Sequence, residues 1–126
     1  MGALVIFAVN VKALASFYEA VLGISPTPKP GDNKKDIRLG GKGIELLIHS
    51  IPPRIAKTIV IKSPPAPRDI AAMKPVFDVK SLSKSEEQVT LRGGVVTKVT
   101  FTIDGLTRRD VLDPEGNVIQ LRSAKL

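Results

Sequence analysis

Residues able to do chemistry are sparse in this chain. There is no cysteine, which excludes disulfides, thiolate zinc sites and a cysteine nucleophile. The single histidine, His49, follows Glu45 in the stretch GIELLIH. If that stretch is a strand, alternation puts Glu45, Leu47 and His49 on one face and Ile44, Leu46 and Ile48 on the other. A lone histidine near a strand end is more often on the surface or hydrogen-bonded than a ligand. Gln120 is a second polar residue set between apolar ones, in VIQL. Lys74 opens KPVFDV, and Arg108-Arg109 form a basic pair. Successive strand residues point oppositely, so only one of those arginines can face a ligand. The pair reads either as an anion-binding arginine or as an ordinary hairpin edge. The basic tail residues Arg122 and Lys125 read as solvated.

Totals narrow the classes. The chain has 126 residues, of which 43% are hydrophobic, enough for one compact domain with a core. Nineteen Lys and Arg against 12 Asp and Glu leave a net charge of +7. Such a charge attracts anions or nucleic acid, or simply keeps a surface soluble. The cations are scattered, and the few rings (Phe7, Phe17, Tyr18, Phe77, Phe101) fit a core better than a stacking platform, so a nucleic-acid module ranks last. The opening MGALVIFAV lacks a basic leader and is too short to span a bilayer. A soluble cytoplasmic protein is the default expectation.

The elements that must position these residues come in two similar runs. ALVIFAV (3–9) is a strand, Asn10 caps a helix carried by Val11, Leu14, Tyr18, Val21 and Leu22, and Gly23 ends it. ISPTPKPGDNKK is a loop or irregular edge strand. DIRL and GIELLIH are strands joined at Gly40-Gly41. The proline-rich segment 51–69 is a linker with a possible short strand at 58–62. KPVFDV (74–79) begins the second run. Ser83 and Glu86 have capping-box spacing, Leu82, Val89 and Leu91 support a helix, and Gly93-Gly94 end it. Strands follow at about 95–102 and 107–112, then the turn DPEGN, then VIQL. A constant shift sets Val11 on Leu82 and Gly23 on Gly94. With a few extra residues in the second run, GIEL meets VIQL, so Glu45 matches Gln120.

Two βαβββ runs, FYEAVLG (17–23) and the terminal DPEGNVIQL (113–121) resemble the vicinal oxygen chelate superfamily. That group includes glyoxalase I, bleomycin-resistance proteins, extradiol dioxygenases and fosfomycin-resistance enzymes. The resemblance covers nearly the whole chain and implies an α+β fold. Two βαβββ modules would form a strongly curved mixed sheet with a concave cleft and helices on the convex side. One domain would cover 1–126, with module one at about 1–50, a linker at about 51–72 and module two at about 73–126. The mixed faces would line the cleft: Ala3, Val5, Phe7, Glu45, Leu47, His49, Lys74, Val76, Asp78, Gln120 and Arg122. Gln120 would then be polar because its face is the cleft. The plainer reading is a partly exposed sheet face without a ligand.

Metal-using relatives draw ligands early in each module's first strand and late in its last. The resemblance places those positions on Ala3, Glu45, Lys74 and Gln120. Ala3 has no donor, Lys74 is a cation, and one carboxylate with one amide binds a divalent ion poorly. His49 lies where the family does not place a ligand. No metal or other cofactor is therefore expected. Lys74 would put an ammonium near the metal position, with Glu45 as its possible counter-ion, or would simply be an exposed lysine at a strand start.

Two functions follow. One is a metal-free binding protein that sequesters a small molecule in the cleft, where a basic lining would suit an anionic or carbonyl-bearing compound. The alternative is a lyase, isomerase or dioxygenase-like enzyme with an atypical site, Glu45 acting as base and Lys74 as electrostatic stabiliser. A homodimer is expected, as is common in the family. No membrane partner is expected.

Overall fold

The computed structural model describes residues 3–67 and 73–126. The chain divides into two compact units, Met1–Val60 and Ile61–Leu126, each built in the same order.

In the first unit, β1 (Leu4–Ala8) leads to α1 (Val11–Leu22). Asn10 caps α1 by accepting from the Ala13 N–H at 3.0 Å, and Gly23 closes it in the left-handed conformation (φ 67°). Next come β2 (Ser25–Pro26), β3 (Ile37–Gly41) and β4 (Ile44–Ser50). The sheet order is β1-β4-β3-β2, with β1 parallel to β4 and the other pairs antiparallel. Leu14, Phe17, Tyr18 and Val21 of α1 are buried, as are Leu39, Leu46 and Ile48 of the sheet. The predicted facing of Leu46 and Ile48 thus holds.

The second unit repeats this pattern: β5 (Val76–Asp78), α3 (Leu82–Leu91), β6 (Val95–Ile103), β7 (Leu106–Leu112) and β8 (Val118–Ser123). Its order is β5-β8-β7-β6, again with one parallel pair, β5 with β8. Phe77, Leu82, Val89, Val111, Ile119 and Leu121 form its core. The DPEGN turn before β8 closes on its own aspartate. Asp113, fully buried, accepts from the N–H groups of Glu115 and Asn117 and from the Asn117 side-chain amide. The α+β class and the two modules agree with the sequence reading, with each module carrying its own four-stranded mixed sheet.

Several local expectations are corrected. The β3–β4 hairpin turns at Lys42-Gly43, both at positive φ (54° and 76°), while Gly40 and Gly41 lie inside β3. Asp104-Gly105 makes the same kind of turn between β6 and β7 (53° and 76°). Two positive φ values suit the twist of a two-residue hairpin, which explains why the second residue is glycine in both. Segment 58–62 is not a strand; a short helix, α2 (Pro53–Ala56), precedes it, with proline at its first position. The cap of α3 is Ser81, bonded to the Lys84 N–H, rather than Ser83. Leu91 is 72% exposed and adds nothing to the core. Arg122 is not a free tail residue but pairs with Asp78 across the β5–β8 ladder.

Candidate functional site

Each sheet has one face under a helix and one without. On the helix-free face of the first sheet, the register sets Val5 beside Leu47, Phe7 beside His49, and Arg38 on the other side of Leu47. Val5 and Phe7 are largely exposed. The Phe7 and His49 rings meet edge to face at 5.5 Å. His49 Nδ1 lies 2.7 Å from Asp36 Oδ2, and Asp36 Oδ1 accepts from the Ser50 N–H. Burial alone would raise the Asp36 pKa, but the Ser50 N–H and His49 outweigh it and hold the carboxyl below its usual range.

Glu45 on this face is already engaged. Its Oε1 accepts from Arg38 Nη1 at 3.1 Å and lies 3.4 Å from Lys29 Nζ. The same guanidinium reaches Asp32 through Nη2 (2.9 Å) and Nε (3.3 Å). The Arg38 hydrogen bond, then the Lys29 N–H, holds Asp32 below the usual carboxylate range. Both cations of this cluster are thus matched by the carboxylates Asp32 and Glu45.

The helix-free face of the second sheet holds Val76 and Asp78 of β5, Gln120 and Arg122 of β8, Arg108 and Asp110 of β7, and Phe101 of β6. Gln120, only 4% exposed, bridges two opposite charges. Its Nε2 donates to Asp110 Oδ1 at 3.0 Å, and its Oε1 accepts from Arg108 Nη1 at 3.2 Å. An amide can do this because it is donor at one end and acceptor at the other. A glutamate there would confront Asp110. Asp110 also accepts from Lys74 Nζ at 3.0 Å. The counter-ion of Lys74 is therefore Asp110, in the same module, rather than Glu45. Asp78 is held below its usual range, chiefly by its hydrogen bond to Arg122 and also by the charge of Arg108. Of the basic pair, Arg108 shares this face, whereas Arg109 lies on the helix side and bonds Glu86 of α3 at 2.8 Å. Arg108 Nε is buried without a hydrogen-bond partner.

Sequence reasoning missed Arg38 and Asp110. Both carry a signal like the one that marked Gln120: a polar or charged residue on the mixed face of a strand. The register also shows that Val76, rather than Lys74, lies beside Gln120. Lys74 stands before β5, which starts only after Pro75, whose carbonyl accepts from the Gln120 N–H.

The residues do not fit a divalent ion. Ala3 offers no donor and Lys74 carries a positive charge. The Glu45 Oε1 faces two cations, and both ends of the Gln120 amide are bonded. Among the described residues, no three or more His, Asp and Glu are grouped to hold a metal. No described helix is long and apolar enough to cross a membrane.

No protein-family model matches the chain, and no curated protein matches it in sequence. Solved structures do match it in shape. A glyoxalase/bleomycin resistance protein/dioxygenase family enzyme from Burkholderia phytofirmans PsJN superposes with a TM-score of 0.71 at 16% identity, covering 97% of each chain. A glyoxalase/bleomycin resistance protein from Albidiferax ferrireducens T118 gives 0.69 at 18% identity, covering 98% of this chain and 97% of the other. The fosfomycin resistance protein FosX from Mesorhizobium loti gives 0.67 at 8% identity, covering 100% and 92%. At such identities the likeness establishes the fold, and the fold is the one that the sequence resemblance implied.

Proposed function

Starting from this glyoxalase/bleomycin-resistance fold, we propose that the chain is a metal-independent small-molecule-binding protein that sequesters an organic anion. The helix-free sheet faces are the binding surface. The observation that carries the reading is the arginine that reaches each last-strand residue from the neighbouring strand. Arg38 donates to Glu45 and Arg108 to Gln120, so a guanidinium lies beside each of the two last-strand positions that the family resemblance matches to metal ligands. A guanidinium is permanently charged and forms directed bonds to oxyanions, which favours anionic ligands. The net charge of +7 acts in the same direction.

The test is a ligand-observed NMR screen of small carboxylates, phosphates and uncharged analogues, run with and without a chelator. Anionic hits that persist in the chelator support the reading. A hit set that disappears with the chelator overturns it.

The enzymatic alternative needs Glu45 as base and Lys74 as electrostatic stabiliser. Nothing in the geometry favours it, because each residue is bonded to a different partner within its own module. Turnover of a 2-oxoaldehyde hemithioacetal would establish it.

We further propose a homodimer. The unpaired outer edge of β6, the last strand in the order β5-β8-β7-β6, supports this. A monomer mass independent of concentration in light scattering would exclude it.

A further inference from the structure

The two arginines differ in what neutralises them. Arg38 bonds two carboxylates. Lys74 has Asp110, Arg109 has Glu86 and Arg122 has Asp78. The partner of Arg108 is the neutral amide of Gln120. Its Nε is also the one buried side-chain nitrogen or oxygen among the described residues that lacks a partner. Among the described residues around the Gln120 bridge, Lys74, Arg108 and Arg122 stand with Asp78 and Asp110, a surplus of one positive charge; Lys74 and Arg122 hold the two ion pairs, while Arg108 acts on Asp78 through its charge alone. A half-buried cation without a carboxylate partner is costly, and an oxyanion meeting the accessible part of the guanidinium would offset that charge, although not at the buried Nε.

The surroundings suggest the rest of the ligand. Phe101 is the cross-strand neighbour of Arg108 on the same face and is 40% exposed. Ile103, on the same strand and face, is 50% exposed, and Val76, beside Gln120, is 41% exposed. One surplus charge next to exposed apolar side chains matches a monoanion with an apolar body.

The geometry points to Arg108 as the anchor for a monocarboxylate whose aromatic or branched body lies against Phe101. This rests on the anion-binding reading above and names its ligand class and specificity-determining residue. Gln120 would be a positioning residue, holding the Arg108 fork through the Asp110 bridge.

The test titrates the full chain with benzoate, with benzamide as the uncharged isostere and inorganic phosphate as the more highly charged competitor, reading amide shifts and calorimetric affinity. Benzoate should bind saturably and shift the Phe101 and Arg108 amides, with benzamide weaker by about tenfold or more. Arg108→Gln should lose about tenfold or more for benzoate, and Phe101→Ala should lose several-fold for benzoate but little for acetate. Should Arg108→Gln fail to fold, Arg108→Lys and the benzamide comparison on the wild type decide the matter. Equal binding of benzoate and benzamide, unchanged benzoate affinity in the folded Arg108 variant, or preference for phosphate would overturn the assignment. If uncharged compounds or other anions bind these faces and benzoate does not, this inference fails and the small-molecule reading stands. If nothing in the wider screen binds, both fail.

Discussion

Arg38 and Arg108 stand at the same place in the two sheets, and each gives its Nη1 to the side-chain oxygen of the matching last-strand residue. The distances are 3.1 Å to Glu45 and 3.2 Å to Gln120. Arg38 lies opposite Leu47, two residues past Glu45, and Arg108 lies opposite Arg122, two residues past Gln120. The positions match, but the electrostatics do not. Removing Arg38 strands Asp32 and Glu45 beside each other, with Lys29 left against Glu45. Removing Arg108 frees one amide oxygen and also removes an unsatisfied buried donor. Arg38→Met should therefore lower the melting temperature clearly more than Arg108→Met in parallel thermal scans. Equal losses would show that Arg108 holds the fold as firmly as Arg38 does.

Leu46 tests the facing of the first sheet. It is 1% exposed, on the face shared with Leu39 and Ile48. Leu46→Asp buries a charge that has no partner there, a change expected to cost several kcal/mol, on the order of 4 or more. Chemical denaturation would measure it. A folded variant of unchanged midpoint would overturn the assignment of the helix-covered face. Leu47→Asp, on the opposite face, should be milder.

Asp36 should make the protein sensitive to acid. Its folded pKa lies below the ordinary aspartate value of about 4. The folded state thus prefers the charged form, through the Ser50 N–H and His49. The resulting stability is complete above the unfolded value and is lost as pH falls through the lower, folded one. Asp36→Asn keeps an acceptor for the Ser50 N–H but cannot titrate. Between about pH 5 and pH 2 its stability should fall less steeply than that of the wild type. Denaturation midpoints across that window check this, and parallel curves would contradict it.

The parts most legible in the sequence were those fixed by alternation and caps. Leu46, Ile48, Ile119 and Leu121 point under the helices because a strand allows only two facings. Asn10 and Gly23 bound α1 because each supplies what a helix end lacks. Turn positions were less legible. Gly40-Gly41 looked like the hairpin, yet the chain turns at Lys42-Gly43, with a lysine at positive φ. The glycine pair signals permissive backbone without saying which residues use it. At the site, Glu45, Lys74 and Gln120 could be picked out, but their partners could not. Arg38 and Asp110 reach them across strands through register, which a single sequence does not display. The register sets Val76, two residues past Lys74, beside Gln120, an offset that a single sequence likewise does not display.

The last expectation concerns metal. Zinc, nickel or manganese added to the chain should leave its melting temperature nearly unchanged. An ion at Glu45 would have to displace both Arg38 and Lys29 from the oxygen it needs. An ion at Gln120 would meet a neutral amide whose nitrogen already serves Asp110 and whose oxygen serves Arg108. Like charges repel at both places, and neither offers a second free carboxylate. A specific ion would stabilise the folded state by about 2.7 kcal/mol at a hundredfold excess over its dissociation constant, which is readily seen as a melting shift. Stoichiometric metal in the purified protein, together with a shift abolished by Glu45→Gln, would mean that the Arg38–Glu45 pair opens to admit an ion. The guanidinium-for-metal reading would then fail.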